Sequence, residues 1–388
     1  MISSSASATL SENNSQAFYT IDVNDPDSSD RPSVTLASTG DGAFFDLDQQ
    51  TLSLSAKGRL DFERPVDENN DNIYDVTVTA TDSDNANTSL TIAVTITDLV
   101  DDVSFNLNPS LPPSDNFDLT TWKLQLPIND AGGLSGQDSA EVSETELNDG
   151  YESEYYFTGP DGAMVFRAPD EGATTSANTR YTRVELREML RAGDRTISTS
   201  GLNGNNWVLS SAPQDNQDAA GGVDGNLKVS MAVNRVIEGG ETFQKGRVII
   251  GQIHAGTDEP IRLYYRKLPG NTHGSIYAIH ELVGGEDILH EIIGSADSDA
   301  ANPANGILLD EIFNFEIDAV GGQIDVTLSR DDGTIITTYQ IDISESGYED
   351  HWMYFKTGAY QVASHGDNTL DIDEFTQVSI YSMSSSHD

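Results

Sequence analysis

The sequence predicts an all-β protein built from two domains, and three observations carry that reading. Apolar and polar side chains alternate in short runs through nearly the whole chain, the pattern of strands with one buried face. No segment sustains the period of about 3.6 residues that an amphipathic helix needs. Turn formers are abundant, with 33 glycines among the 388 residues, which suits many short strands joined by turns.

In the first domain, taken as residues 1–103, FYTIDV (18–23) reads as a strand. YDVTVTAT (74–81) and SLTIAVTIT (89–97), separated by the turn cluster DSDNAN, read as a β-hairpin. Acidic clusters flank these strands: Asp25, Asp27 and Asp30 in one, DENNDN (67–72) in another. Alternation stops after Asp98. Residues 104–116 carry Pro109, Pro112 and Pro113, which oppose helix and central strand, and predict a linker.

The second domain, residues 117–388, resumes the alternation. Strands are expected at 121–127, 162–169, 182–190, 226–236, 246–255, 261–268, 275–282, 313–320, 323–330, 334–341, 351–360 and 375–383. Two packed or curved sheets follow. The acidic loops 129–150 and 209–225 could wall a cleft or leave it open.

Composition narrows the function. Twenty Lys+Arg against 64 Asp+Glu give a net charge of −44, which disfavours nucleic acid and anionic membrane as partners. Such a surface repels itself at low salt and is screened in brine, where the Debye length is about 3 Å at 1 M; a saline or marine setting fits. The absence of cysteine removes disulfides, thiolate zinc sites and cysteine nucleophiles. No run of about 20 apolar residues predicts a membrane span. The first residues show neither a basic nor an apolar leader region; the expectation is a secreted, monomeric protein whose leader lies outside this sequence.

Successive side chains on a strand point to opposite faces, and three segments divide the same way. In RVELR, Arg183, Glu185 and Arg187 share a face against Val184 and Leu186. In QIH, Gln252 and His254 oppose Ile253. In YFKTGAY, Tyr354, Lys356, Gly358 and Tyr360 oppose Phe355, Thr357 and Ala359. An Arg-Glu-Arg ladder alone is usually a solvated ion-pair face. Three such strands in a cation-poor chain describe a groove for an anionic, hydroxyl-rich ligand. Glycoside hydrolysis by two carboxylates stays open, because acidic residues are plentiful. The seven histidines show no HExxH spacing, and no GxSxG elbow is present. A fourth chemistry, proton abstraction beside a uronate carboxylate, needs a group to neutralise the carboxylate and a base and an acid near the ring; Arg with Gln, His and Tyr are a complete set for it.

RVELR, QIH and YFKTGAY, with TWKLQLP (121–127), occur in the order found in alginate lyases of polysaccharide lyase family 7, and residues 115–388 resemble that family. The resemblance implies a β-jelly roll with a concave substrate-binding sheet and β-elimination on alginate without a cofactor. It implies that Arg183 and Gln252 engage the uronate carboxylate, that His254 is the base for at least one C5 epimer, and that Tyr360 is the acid, serving as both for the other. Glu185, Arg187, Lys356, Tyr354 and Lys123 would orient this set or bind neighbouring sugars. The Ile of QIH implies a leaning to polyguluronate or mixed blocks. Nearby Arg and Lys are expected to lower the pKa of Tyr360. Two departures stand out: Val184 replaces a small polar residue, and Gln361 directly follows Tyr360 instead of lying two positions on. A lyase for another polyuronate such as glucuronan, or a non-catalytic carbohydrate-binding jelly roll, would fit the same face.

LDFERP, DNIYDVTVTATDSD and VTITD in the first domain resemble a cadherin repeat. That resemblance implies Ca²⁺ ligands at Glu12, Asp61, Glu63 and Asp98 toward the following module, and at Asp25 and Asp27 toward a preceding one. Oxygen ligands of this kind suit a hard cation. The exit ITDLVDD departs from the usual DxNDN ending.

Overall fold

The computed structural model describes residues 2–12, 14, 16–24, 32–57, 60, 62, 65–97, 105–362 and 374–388. The chain divides into two compact units, Met1–Asp102 and Val103–Asp388.

The first unit is a small sandwich. Ile73–Thr81 and Asn87–Thr97 form the expected hairpin, extended by Ser33–Leu36 on one side and, in parallel, by Ser7–Ser11 on the other. A three-stranded sheet of Tyr19–Thr20, Ser53–Ala56 and Phe45–Asp48 faces it. The alternation seen in the sequence places Tyr74, Val76, Val78, Ile92, Val94 and Ile96 inward, where Tyr74 meets the Phe45 ring edge-on at 5.7 Å. Within DENNDN, the buried Asp67 accepts the backbone N–H groups of Asp71 (2.9 Å) and Asn72 (3.2 Å), so this carboxylate shapes its own turn. Of the six expected Ca²⁺ ligands, Asp25, Asp27, Asp61, Glu63 and Asp98 lie outside the described residues. Glu12 is buried and accepts the Phe62 N–H at 2.8 Å. Among the described residues, no group of three or more metal-ligating side chains comes together.

The second unit is a jelly roll of two antiparallel sheets. One runs Tyr156–Thr158, Met164–Pro169, Phe375–Ser386, Gly225–Arg235, Phe313–Val320, Gln323–Arg330, Ile335–Asp342. The other runs Asp287–Ile293, His273–Glu281, Ile261–Arg266, Arg247–His254, Tyr354–Gln361, Arg183–Glu188, Trp122–Asn129, Ser139–Val142, with Ile307–Leu308 paired to His273–Glu281. Their facing apolar side chains make one core containing Leu124, Leu186, Ile253, Phe315 and Phe355. Each such fully buried side chain contributes about 1.5–3 kcal/mol. The twelve expected strands all form, with ends shifted by a few residues.

Four strands of this unit were not anticipated. Ser139–Val142 is short and polar, Tyr156–Thr158 and Ile307–Leu308 span only a turn's length, and Asp287–Ile293 is an edge strand that leaves Ile288 and Leu289 exposed. The expected linker also carries packing. Phe105 and Leu107 lie against a small cluster of Ala163, Ala232, Ile312 and Tyr381, with the Phe105 and Tyr381 rings 5.5 Å apart. Inside the loop 129–150, Glu144–Asn148 forms a helical turn whose start is signalled by Ser143 and Glu146: the Ser143 N–H donates to the Glu146 carboxylate at 3.0 Å.

Candidate active site

The face of the second sheet turned away from the core gathers the polar side chains read from the sequence. Strand register places them in rows. Lys123, Arg187, Lys356, Gln252 and Arg262 face one another across five adjacent strands. Arg183, Tyr360, Ile249, Tyr264 and Tyr277 form a second row, and His254 pairs with Tyr354. Simple alternation would turn Ile249 and Gln252 to opposite faces. A β-bulge resolves this: register slips between Ile249 and Gly251, sending both Ile250 and Gly251 toward the core. A Cβ on Gly251 would lie 2.8 Å from the Phe315 ring, so only glycine fits there.

These polar groups are far more enclosed than a solvated ladder. Glu185 is 0% exposed, Gln252 1%, Lys356 4% and Arg183 8%. Glu185 is the hub: one carboxylate oxygen accepts the Gln252 amide, while the other pairs with Lys356 and, at 3.4 Å, with Arg183. Buried charges are tolerated only when paired in this way. Burial and the neighbouring Arg183 charge push the Lys356 ammonium down to about 8, with Glu185 opposing the shift. Lys123 pairs with Glu141 at 2.6 Å, and Arg187 donates to the Thr199 carbonyl at 2.6 Å. The Arg183 guanidinium lies 3.6 Å over the Tyr360 ring, and that of Arg187 lies 3.9 Å over Tyr354.

His254 stacks on Tyr354 with ring centroids 5.1 Å apart. Its Nδ1 lies 2.5 Å from the Ala255 carbonyl oxygen, so Nδ1 carries the proton and Nε2 presents a lone pair. Burial, then Lys356, Arg183 and Arg187, hold this imidazole at about 3, so it is neutral at working pH. Nε2 is 3.1 Å from the Glu259 carboxylate. Tyr360 differs from the expectation. Its pKa is raised, because burial outweighs the opposing charge of Arg183, and Glu185 adds to the rise. The hydroxyl therefore keeps its proton.

Arg183 acts electrostatically on His254, Tyr354, Lys356 and Tyr360 alike, so these side chains converge on one place. Two expectations take a different form. Ile253 is wholly in the core and cannot touch a sugar. Gln361 is also buried, and its amide donates to Thr182 Oγ1 at 2.8 Å, so it faces away from the groove. Three further residues belong to the site or its support and were not singled out in the sequence: Glu259, Arg262 and the core-facing Glu188. Continuing the RVELR alternation by one residue would have put Glu188 inward. Glu259 sits in a loop of an acid-rich chain and gives no such signal.

A jelly roll whose second sheet joins buried cations to a neutral imidazole and a protonated phenol has the equipment of a lyase for acidic polysaccharides. Residues 117–387 match the family model for alginate lyase, and residues 6–97 match the cadherin domain. The chain belongs to the alginate lyase family, polysaccharide lyase family 7. It is 44% identical over 288 residues to an alginate lyase of Klebsiella pneumoniae, covering 71% of this chain and 91% of that protein. The crystal structure of the alginate lyase from Klebsiella pneumoniae superposes with a TM-score of 0.67 at 41% identity, covering 71% of this chain and 99% of that one. The family 7 alginate lyase A1-II′, solved in complex with product (GGG), aligns with a TM-score of 0.51 at 26% identity, over 72% of this chain and 100% of that one.

Proposed function

We propose that this protein depolymerises alginate by β-elimination, with His254 as base and Tyr360 as acid. Arg183 and Gln252 hold the uronate carboxylate and stabilise the charge that builds as the C5 proton leaves. His254 Nε2 takes that proton. The electron pair forms the C4–C5 double bond, the C4–O4 bond breaks, and Tyr360 gives its proton to the departing oxygen. Only side chains of this chain take part.

The observation that carries the reading is the protonation pattern: an imidazole held neutral with Nε2 unprotonated, beside a tyrosine held protonated. A phenol kept as phenol serves as acid in the free enzyme and is poorly placed to serve as base as well. Separate base and acid suit the epimer whose C5 hydrogen and O4 lie on opposite sides of the ring. That supports polyguluronate or mixed blocks as the preferred substrate, with His254 instead of Ile253 as the residue behind the preference. Secretion into a saline medium fits the acidic surface.

Ultraviolet absorbance of unsaturated uronate tests the assignment. Wild type should generate the signal on alginate, and Tyr360→Phe should reduce kcat by about 10²–10⁴-fold. His254→Ala should lose more activity on polyguluronate than on polymannuronate. A folded wild type that acts on glucuronan but not alginate would overturn the substrate; one silent on both would overturn the chemistry.

A further inference from the structure

We infer that Glu259 is a positioning residue for the base: it caps the Nε2 lone pair of His254 in the resting enzyme, and it receives the proton that His254 takes from the sugar. This rests on His254 being the base, as proposed above. The geometry requires a proton between the two groups. Nδ1 already donates to Ala255, so Nε2 and the Glu259 oxygen 3.1 Å away would otherwise oppose two lone pairs.

The surroundings decide which group holds that proton. Glu281, on the His273–Glu281 strand, faces the Glu259 carboxyl and raises it, and also accepts the Glu259 N–H at 3.2 Å. Arg262, on Ile261–Arg266, is 3.9 Å from Glu281 but is held by Asp287 at 2.5 Å. Lys356 acts from the neighbouring strand, and the electrostatic reach of Glu259 extends to Tyr348, Tyr354 and Tyr360. Burial and the Glu281 carboxyl raise Glu259 to about 7, against about 3 for His254. The proton therefore sits on Glu259 and is donated to Nε2.

Glu259 lies in the loop between Arg247–His254 and Ile261–Arg266. Asp258 next to it is anchored, accepting from Thr257 Oγ1 at 2.7 Å and from the Gly284 N–H at 3.3 Å. The Glu259 side chain itself retains about a fifth of its exposure. Deprotonated, it frees Nε2 for the C5 hydrogen. After abstraction, His254 passes that proton to the Glu259 carboxylate, which releases it to water, while the Tyr360 phenolate regains one from water.

The dependence of kcat/KM on pH reads this out. Wild type should rise through a limb near pH 7; neither Glu259→Ala nor Glu259→Gln can titrate there, so both should lose that limb. A limb unchanged in both folded variants would overturn the inference. A second readout does not depend on activity: the ¹⁵N resonance of His254 Nε2 in the free enzyme. It should shift as Glu259 titrates in wild type and stay fixed in Glu259→Gln. An Nε2 signal that never moves in wild type would overturn the cap. A His254→Ala variant as active as wild type on polyguluronate would instead remove the base reading, leaving the ¹⁵N result to stand on its own.

Discussion

At the scale of single residues, Glu185 bears the most. Three groups assigned to substrate or proton handling converge on its carboxylate: Gln252, Lys356 and Arg183. Glu185→Ala should leave Lys356 buried without its partner and cost about 3–5 kcal/mol of stability. Displacements of about 1 Å in the anchored groups should lower kcat by about 10²-fold. Thermal denaturation and steady-state kinetics on alginate measure the two effects separately, and Glu185→Asp should recover part of both. Alternation made the outward set from Arg183 to Tyr360 legible, because a side chain's face follows from its parity along the strand. It could not reveal how closed that face is, nor the sign of the Tyr360 shift. Both depend on what packs over the sheet from distant parts of the chain.

At the scale of elements, the strand carrying Lys356 and Tyr360 owes its course to Gly358. Its φ of +136° is one that other residues rarely adopt. An added Cβ would lie 2.7 Å from the Val184 carbonyl oxygen and 3.0 Å from the Glu185 Cα. Gly358→Ala should therefore destabilise the protein by about 1–3 kcal/mol, and lower activity further by shifting Tyr360 against Arg183. A melting curve beside a kinetic assay at a temperature where both forms are folded would check this. The glycine is plain in YFKTGAY, yet its positive φ is not. Likewise the bulge at Ile250 and Gly251 is invisible to a period-two reading, although that reading placed Gln252 and His254 together correctly. DILHEII escaped notice because an edge strand buries too little to show a clean pattern.

At the scale of the whole catalytic unit, a buried staple joins distant parts of the fold. His387 packs against Trp207 and Phe355, donates from Nδ1 to the Asp224 carbonyl at 2.7 Å, and pairs through Nε2 with the fully buried Glu188 at 3.0 Å. Burial pulls the imidazole's pKa down, but Glu188 and Asp224 outweigh it and the net shift is upward. A group raised in the folded state stabilises fully below its unfolded value, about 6.5, and the benefit fades as pH rises through the folded value. Wild type should therefore lose melting temperature as pH increases above about 6.5, and His387→Gln should flatten that slope while lowering stability at acid pH. The strand leading to this histidine, Phe375–Ser386, lies inside its sheet, between Met164–Pro169 and Gly225–Arg235. During synthesis those two neighbours leave the ribosome long before the strand that separates them. The catalytic sandwich must wait with an open gap, its apolar faces uncovered, until that late strand arrives. The cadherin-type unit lies within residues 1–102, so its described strands have all emerged well before then.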